Sequence, residues 1–576
     1  MSYQAPLKDM RFVLNELAGL GEVAKLPGYQ DATPDTVDAI LEEASKFASE
    51  VLDPINYSGD QEGSVWKDGG VTTPKGFKQA YRQYVEGGWG ALPFSPDWGG
   101  QGLPKLVATA VEEMLTASNM SFSLCPLLTQ GAIHALELCG SEALQKTFLG
   151  KMIAGTWTGT MNLTEPQAGS DLALVRTKAE RSGAHFLISG QKIFITYGEH
   201  DLAENILHLV LARTPEAPEG VKGISLFLVP KFLVKPDGSL GERNSAKCAS
   251  IEHKLGIHAS PTAVMVFEKA VGYLVGEENK GLAYMFIMMN SARFSVGLEG
   301  VAIAERAFQR ALAYAKERLQ GKDLVDGKTV PIIRHPDVRR MLMLMKSQTE
   351  AMRALAYVTA ASLDFANKTQ DKKHQAFVDL MIPVVKGWST ETGIEIASLG
   401  VQVHGGMGFV EETGAAQYLR DARITTIYEG TTGIQAMDLV GRKIGRDGGR
   451  TAKAWLAEVQ KVSGNNPQLA AGVQAVSDCV DFIVGSKDPR ATFAGAVPFL
   501  KLMGIVAGGW QMARASLASQ KLLSTGNADK AFLEAKIATA RFYGEHVLVQ
   551  APGLRDTVVK GGAGVMALTD EQFLAA

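Results

Sequence analysis

Residues Asp421–Gln435 read DARITTIYEGTTGIQ and place one acid, Glu429, at the end of an apolar and aromatic run. A carboxylate beside such a run is expected to be partly desolvated, which raises its pKa and makes it a stronger base near neutral pH. The glycines of the following Gly-Thr-Thr-Gly allow the backbone to approach a ligand closely. The alternative is a surface glutamate that precedes a helix cap formed by Thr431 or Thr432. The stretch therefore predicts either a catalytic base or an ordinary helix start.

The composition is that of a folded protein with several domains. The chain has 576 residues, 46% of them hydrophobic, which predicts three or four domains. A net charge of -3 leaves no basic excess for the phosphates of a nucleic acid. Its 4 cysteines are scattered without CxxC spacing, which predicts a reducing compartment and no metal site. Because the N-terminal segment mixes both charge signs with apolar residues, we expect no signal or transit peptide and a cytoplasmic location.

The first part of the chain has helical periodicity. Thr33-Pro34 combines a hydroxyl cap with a proline at the first helical position, and apolar residues follow at i, i+3, i+4 and i+7 as far as Val51. Residues 1–155 are therefore predicted to form a helical domain. Its further helices are expected at 74–87, 104–118, 121–139 and 141–152.

From about Thr156 the period shortens towards two, which is typical of strands. Because no helical segments separate these strands, they predict an antiparallel β domain over residues 156–278. No GxGxxG follows a strand, which argues against a Rossmann dinucleotide site. The candidate strands are 157–163, 184–189, 191–196, 205–213, 223–230 and 262–268.

Helical periodicity returns at Gly281 and predicts a bundle over residues 279–448. The helix expected at 281–319 is longer than an ordinary one, so a break is predicted near Ser291–Ser295. Residues 449–576 are predicted to add a further helical domain. Its apolar segment 493–510 contains a proline and a lysine, which favours a core helix over a membrane-dipping one. The other helices of the bundle are expected at 335–366, 370–399, 411–420 and 431–443.

Four motifs resemble those of the acyl-CoA dehydrogenase family and occur along the chain in the family's order. The IYEGTTGIQ segment resembles the family's IYEGT-x-x-IQ motif, and VQVHGGMGF, from Val401 to Phe409, resembles Q-x-x-GG-x-GF. LTEPQAGSD, from Leu163 to Asp171, resembles the flavin motif TEP-x-AGSD. EHKLGIHASPT, from Glu252, and VGEENKGL, from Val275, resemble K-x-GI-R-x-S and GE-x-x-KG. The resemblance implies a mainly α-helical fold with a central antiparallel β domain, followed here by an extra C-terminal helical domain.

The resemblance also implies a reaction. A glutamate removes a proton from the α-carbon of an acyl-CoA thioester while the flavin of FAD accepts a hydride from the β-carbon. Glu429 matches this base, and its own backbone N–H is one donor to the thioester oxygen. Some members place the base immediately before the arginine that matches Arg293, but Ala292 occupies that position and cannot ionise.

Residues that match the family's flavin contacts lie in three segments. Phe194 stands where the family has a tryptophan, and Tyr197 replaces an asparagine. An aromatic stack survives the first change, although the alternating pattern around Ile195 also fits plain strand core. The flavin contacts implied by the resemblance are Met161, Leu163, Thr164, Ser170, Phe194, Thr196, Thr431 and Gln435.

The FAD diphosphate and adenosine are implied to lie near Gln402, Gly405 and Gly406, because glycines let backbone amides reach a phosphate. Arg318 matches an arginine that reaches the FAD of a neighbouring subunit, which implies a homodimer or a dimer of dimers. His404, just before the glycines, is predicted to be a packed histidine and not a catalytic one.

The substrate contacts implied by the resemblance are Ser170, Asn290, Arg293, Glu429 and Gly430. Asn290 replaces an acid that the family often has three residues before the arginine, which keeps a hydrogen-bonding group and removes a charge. No metal ligand is implied.

The extra C-terminal region resembles that of the longer bacterial members of the family. These imply 3-(methylthio)propanoyl-CoA or a medium- or long-chain fatty acyl-CoA as substrate and an electron-transfer flavoprotein as the electron acceptor. The alternatives are an acyl-CoA oxidase and a catalytically silent member that works as a binding or assembly protein. Membrane association of the tail is the less favoured interpretation.

Overall fold

The computed structural model describes residues 2–464, 466–526 and 529–574. Its N-terminal part is helical, as predicted, and the helices begin and end within a few residues of the expected positions. Thr33 caps the third helix by accepting a hydrogen bond from the backbone N–H of Thr36. The elements are α1 (Leu7–Phe12), α2 (Leu20–Val23), α3 (Pro34–Lys46), α4 (Asn56–Glu62), the hairpin β1 (Val65–Lys67) and β2 (Gly70–Thr72), α5 (Phe77–Glu86), α6 (Lys105–Ser118), α7 (Met120–Cys139) and α8 (Glu142–Ile153).

A seven-stranded sheet follows and confirms the central β domain. The order of its strands is β3-β6-β7-β11-β5-β4, and β10 also pairs with β11. The pairs are antiparallel except for β3 and β6, which run parallel. The strands are β3 (Trp157–Asn162), β4 (Lys178–Ser182), β5 (His185–Thr196), β6 (Asn205–Ala212), β7 (Ser225–Pro230), β8 (Phe232–Val234), β9 (Leu240–Arg243), β10 (Ala246–Ile251) and β11 (Thr262–Leu274), of which β8 and β9 form a separate hairpin.

Three details of the predicted sheet were wrong. Segments 184–189 and 191–196 are one strand, β5, because β11 pairs with it on both sides of Gly190. The strand predicted at 262–268 continues to Leu274, where it also pairs with β7. Strands β4 and β10 were not predicted, because their exposed positions carry charged or small polar residues and little apolar pattern.

The helical bundle surrounds one long helix. The break predicted near Ser291–Ser295 is absent, because α9 is continuous over 37 residues. The side chains from Ala292 to Val296 are buried, and this tertiary packing stabilises a helix well beyond the usual length. The elements are α9 (Gly281–Glu317), the hairpin β12 (Leu319–Lys322) and β13 (Thr329–Pro331), α10 (Pro336–Thr369), α11 (Lys372–His404), α12 (Ala415–Ala422) and α13 (Thr432–Met437).

Helices α9 and α11 lie unusually close together. A Cβ atom on Gly300 would lie 2.4 Å from the carbonyl oxygen of Ser389, so only glycine fits at this crossing. Further along, Tyr314 stacks on His404 with ring centroids 4.5 Å apart. Because the contacts advance together along both helices, α9 and α11 run parallel, and their C-terminal ends lie at the same end of the bundle.

The C-terminal region adds seven helices to the bundle in the part of the chain that the structure describes. Within it, α17 packs on α11 so closely that a Cβ atom on Gly504 would lie 2.1 Å from the ring of Trp388. Most of segment 493–510 is buried, as expected of a core helix. Within the described ranges, we find no helix that could span a bilayer. The helices are α14 (Arg450–Gln460), α15 (Pro467–Gly485), α16 (Pro489–Ala494), α17 (Ala496–Ser524), α18 (Lys530–His546), α19 (Ala551–Lys560) and α20 (Gly562–Val565).

A buried ionic network joins this C-terminal region to the rest. Arg353 of α10 lies 2.7 Å from Asp9, 2.6 Å from Glu113 and 2.7 Å from Glu305. Lys536 of α18 lies 2.5 Å from the other oxygen of Asp9 and also pairs with a carboxylate of α10. Side chains from the first and last parts of the chain therefore share one charge cluster.

Candidate active site

The turn between α12 and α13 puts Glu429 in an unusual backbone conformation. Its φ is +55°, in the left-handed region that costs a residue with a side chain about 1–2 kcal/mol. Gly430 follows with a φ of +88°. Thr431 caps α13 by accepting a hydrogen bond from the backbone N–H of Ile434. The predicted threonine cap is therefore present, and the glutamate is left on the turn before it.

Glu429 lines a cavity of about 930 Å³ between the sheet, α9 and the α12–α13 turn. Ten of the side chains predicted from the sequence as site residues line this cavity. They are Met161, Leu163, Thr164, Ser170, Phe194, Thr196, Arg293, Glu429, Gly430 and Thr431.

The surroundings of Glu429 make its carboxyl group a proton acceptor near neutral pH. Burial raises the pKa of Glu429 to about 7, although the cations Arg293 and Lys386 favour its charged form. A general base works best when its pKa lies close to the working pH. Among the described residues, none accepts a hydrogen bond from the backbone N–H of Glu429, so this donor is available to a ligand.

Two buried ionisable residues beside Glu429 were not predicted. Glu299 of α9 accepts a hydrogen bond from the hydroxyl of Tyr428, and Lys386 of α11 donates one to the carbonyl of Gly430 at 2.8 Å. Burial raises the pKa of Glu299 to about 8 and lowers the pKa of Lys386 to about 8. A signal for both exists in the sequence, since each is the single charge in an otherwise apolar helical segment, 294–304 and 380–390 respectively.

Residues of the loop from Leu163 to Asp171 form part of the cavity wall. A buried ion pair anchors this loop, because Glu165 lies 2.8 Å from the ammonium of Lys192, which also donates to the carbonyl of Leu163 at 2.9 Å. This pair leaves Gly169 and Ser170 on the cavity surface.

Phe194 stands at the edge of this wall with its ring uncovered. Its φ is +60° and its side chain is 60% exposed. Strained and exposed aromatic residues of this kind are found where a ligand is bound. Tyr197 is turned away from the cavity, since it is buried and its hydroxyl donates to the carbonyl of Ser121.

Two other predicted residues lie beside the cavity. The amide of Gln435 donates to the backbone carbonyls of Glu429 and Gly430 at 3.2 and 3.4 Å, so it supports the turn from behind. Asn290 is exposed one helical turn before Arg293, and its side-chain oxygen lies 3.5 Å from that guanidinium.

The remaining predicted residues lie at the far end of the bundle. Arg318 follows Arg293 by 25 positions, which is roughly 37 Å along a helix. Gln402 lies in the last turn of the parallel helix α11, and Gly405 and Gly406 follow directly after it. All three are exposed, as Arg318 is. His404 is packed as predicted, because Nδ1 bonds to the carbonyl of its own helix at 2.7 Å and the ring stacks on a tyrosine.

The cavity also carries cationic side chains that were not predicted. Arg442 lies 3.2 Å from Asp438, which in turn lies 3.6 Å from Arg293. The guanidiniums of Arg293 and Arg442 both lie within 6 Å of the ring of Phe286. Further cations on the lining are Lys254, Arg420 and Arg423.

Four family models match the chain in order. They are described as the N-terminal domain of acyl-CoA dehydrogenase for residues 34–156, its middle domain for 160–270, its C-terminal domain for 279–444, and an acetyl-CoA dehydrogenase C-terminal-like region for 453–569.

Similar proteins match over nearly the whole length. The 3-methylmercaptopropionyl-CoA dehydrogenase of Ruegeria pomeroyi is 49% identical over 98% of this chain and 99% of its own. The broad-specificity linear acyl-CoA dehydrogenase FadE5 of Mycobacterium tuberculosis is 34% identical over 99% of this chain and 100% of its own. Among solved structures, ACDH-11 of Caenorhabditis elegans in complex with C11-CoA matches 97% of this chain and 96% of its own with a TM-score of 0.76 at 19% identity, and so shares the fold.

Proposed function

The chain belongs to the acyl-CoA dehydrogenase family of FAD-dependent oxidoreductases, and we propose that it oxidises 3-(methylthio)propanoyl-CoA with Glu429 as the base. The observation that carries the proposal is the position of Glu429, which lines the cavity with a pKa near 7. The presence of this base also counts against a catalytically silent member of the family.

The cavity fits a flavin on two observations. The uncovered ring of Phe194 offers a stacking surface, and Gly169 and Ser170 on the cavity wall offer backbone and hydroxyl groups. The residues that would hold the flavin are Met161, Leu163, Thr164, Ser170, Phe194, Thr196 and Thr431, with Gln435 behind them. Bound FAD supplies the two-electron acceptor for a hydride.

Glu429 would carry out the proton transfer. The α C–H bond of the thioester breaks and its proton passes to a carboxylate oxygen of Glu429, the β C–H bond breaks with its electron pair and leaves as hydride, and a double bond forms between the two carbons. The free backbone N–H of Glu429 would donate to the thioester oxygen as negative charge develops there. The product is a trans-2-enoyl-CoA.

The substrate assignment rests on the cavity wall and on the relatives. The lining near Glu429 includes Met289, Ile424 and Met437, and such polarizable and apolar side chains suit an acyl chain that contains a thioether. The cationic residues that include Arg293 and Arg442 suit the phosphates of coenzyme A. The 49% identical relative is named for 3-methylmercaptopropionyl-CoA, the same acyl group.

An anaerobic titration of the visible spectrum tests the reaction and the substrate together. We expect 3-(methylthio)propanoyl-CoA to bleach the flavin at lower concentration than butyryl-, octanoyl- or palmitoyl-CoA does. Glu429→Gln keeps the shape of the side chain and removes the base, so it should retain FAD and lose turnover by about 100-fold or more. Full activity in this variant would contradict the assignment of the base, and a protein that binds no FAD would favour the silent member.

We also propose that the far end of the bundle contacts a second copy of the chain. Arg318, Gln402, Gly405 and Gly406 lie there with exposed apolar side chains, among them Val325 at 95% and Phe409 at 88%. A second copy would cover these apolar groups and would bring its FAD to Arg318. The proposed assembly is a homodimer or a dimer of dimers.

Light scattering of the purified protein tests this assembly. Phe409→Asp should shift the mass towards the monomer, because it puts a charge in an apolar contact. The matched control is Phe573→Asp, which changes an exposed phenylalanine of the C-terminal region and should leave the mass unchanged. A monomeric wild-type protein would contradict the proposal.

The electrons are proposed to pass to an electron-transfer flavoprotein. An assay with oxygen as the only acceptor distinguishes this from an acyl-CoA oxidase, which would sustain turnover and release hydrogen peroxide. We expect turnover only when the flavoprotein or an artificial acceptor is added.

A further inference from the structure

Both neighbours of Glu429 are hydrogen-bonded to buried ionisable side chains of the central helices. On one side, the hydroxyl of Tyr428 donates to Glu299 of α9. On the other, the carbonyl of Gly430 accepts from Lys386 of α11 at 2.8 Å. The base is therefore held between two anchors that belong to two different helices.

The turn needs such anchors because its backbone is strained. Glu429 has a φ of +55°, which a residue with a side chain adopts only where its surroundings impose it. Two further hydrogen bonds also hold the turn in place. Gln435 donates to the carbonyl of Glu429 at 3.2 Å, and Thr432 donates to Glu391 of α11 at 2.6 Å.

Lys386 is an unusual residue for the middle of a packed helix. Its side chain is fully buried, and its ammonium donates to a backbone carbonyl and not to a carboxylate of the described residues. Burying an ammonium without an ion pair costs free energy of folding. The groups that offset this cost therefore indicate the role of the residue. Its hydrogen bond goes to the turn. The ionisable groups that act on its pKa are Glu429, Glu299, Arg293 and Glu391.

Glu299 complements Lys386 from the other helix. It is 1% exposed, and one of its oxygens has no hydrogen-bond partner among the described residues while the other accepts from Tyr428. Burial raises the pKa of Glu299 to about 8, so at neutral pH it is largely uncharged. It can therefore hold Tyr428 without placing a full negative charge next to the base.

We propose that Lys386 and Glu299 are positioning residues that clamp Tyr428 and Gly430, hold Glu429 in its left-handed conformation, and, through the charge of Lys386, keep the base ionised. The proposal rests on the proposed role of Glu429 as the base. Neither residue touches the reacting atoms, so each acts through the turn.

The pH dependence of kcat in Lys386→Met tests the charge. The methionine keeps the length of the side chain and removes both the hydrogen bond and the cation. We expect kcat to fall about 10- to 100-fold, because the base is misplaced, while KM changes less than about threefold. Since the cation lowers the pKa of Glu429, its loss should move the acidic limb of log kcat to higher pH by about one unit.

Two controls separate this effect from a loss of structure. Lys536→Met removes another buried lysine far from the cavity and should lower the melting temperature without moving the limb. Lys386→Arg keeps the charge, so its limb should stay in place. If Lys386→Met fails to bind FAD, the test of the charge uses Lys386→Arg alone. If the acidic limb of log kcat moves in Lys386→Arg although the charge is kept, the proposal is overturned.

The other anchor is tested at Tyr428 and Glu299. Tyr428→Phe removes only the hydroxyl and should lower kcat about tenfold with KM nearly unchanged. Glu299→Gln keeps an acceptor for that hydroxyl and should stay within about threefold of wild type. Wild-type kcat in Tyr428→Phe overturns the clamp on this side.

The activity of Glu429→Gln tests the role of Glu429 independently of the Lys386 variants. An active Glu429→Gln would defeat the proposed function whatever the Lys386 variants do. An inactive Glu429→Gln together with a wild-type pH profile in Lys386→Met would leave the proposed function intact and overturn the role of Lys386.

Discussion

Gly430 and Gly433 lie three residues apart, yet they differ in what they tolerate. Gly430 has a φ of +88°, and a Cβ atom there would lie 2.7 Å from the side-chain amide nitrogen of Gln435. Gly433 lies within α13, and a Cβ atom added there would have its nearest neighbour at 3.6 Å. The first glycine is therefore required by the turn, whereas the second is not.

We predict that Gly430→Ala destabilises the protein by about 1–2 kcal/mol, because alanine is strained in the left-handed region. It should also lower kcat, since the shifted Gln435 no longer supports Glu429. Thermal unfolding and steady-state kinetics check this. Gly433→Ala is the matched control and should stabilise α13 slightly; equal effects of the two substitutions would contradict the description of the turn.

Among individual residues, those that lie together in one continuous sequence motif could be predicted from the sequence. Glu429 and the cap at Thr431 could be located because they share one segment with the glycines. Lys386 and Glu299 could not, because they reach the turn from helices distant in sequence, and which face of a long apolar helix meets the turn depends on packing. The proposed contacts at Arg318 and Gln402 remain predictions.

Among the elements, the crossing of α9 and α11 positions the site most directly. These two helices carry Arg293 and Lys386, and Gly300 allows them to approach to backbone contact. A methyl group at this crossing would force the helices apart. The separation would act on the cations that surround Glu429.

We predict that Gly300→Ala costs about 1–3 kcal/mol by overpacking and lowers kcat in the same variant. Gly400→Ala is the control, because a Cβ atom there meets its nearest neighbour at 3.6 Å and alanine favours a helix. Urea denaturation of both variants, with kcat measured alongside, checks the prediction. A stabilised Gly300→Ala would show that the helices adjust without cost.

Helix positions could be predicted more reliably than the edges of the sheet. A buried helix repeats its apolar face over several turns, so α6, α7 and α8 lie close to their predicted positions. Edge strands such as β4 expose most of their side chains and show little apolar alternation. The break predicted in α9 was wrong for a related reason. It was inferred from the usual length of helices, which contains no information on the packing around a particular helix.

For the whole molecule, the charge cluster around Asp9 links the two termini. We propose residues 1–155, 156–278, 279–448 and 449–576 as the structural units of the chain. The cluster crosses these boundaries, because Asp9 contacts Arg353 and Lys536. The last unit is therefore expected to unfold together with the bundle.

We predict that Lys536→Met costs about 3 kcal/mol, because it leaves two buried carboxylates with one cation fewer. This is at the lower end for a buried pair, since Asp9 keeps Arg353 and Glu350 keeps Lys346. Lys530→Met, which removes an exposed pair on the same helix, should cost less than about 0.5 kcal/mol. Thermal unfolding that shows a separate transition for the C-terminal region would contradict the linkage.

The unbroken course of α9 has a consequence for sequence length. The helix joins Arg293 at the cavity to Arg318 at the opposite end, and nothing between them interrupts it. One residue inserted midway would turn everything beyond it by about 100° and displace it by roughly 1.5 Å. The helical phase between the two arginines is therefore fixed by the length of the helix. We expect one residue inserted between them to disrupt the proposed contacts of Arg318, although every individual side chain is kept.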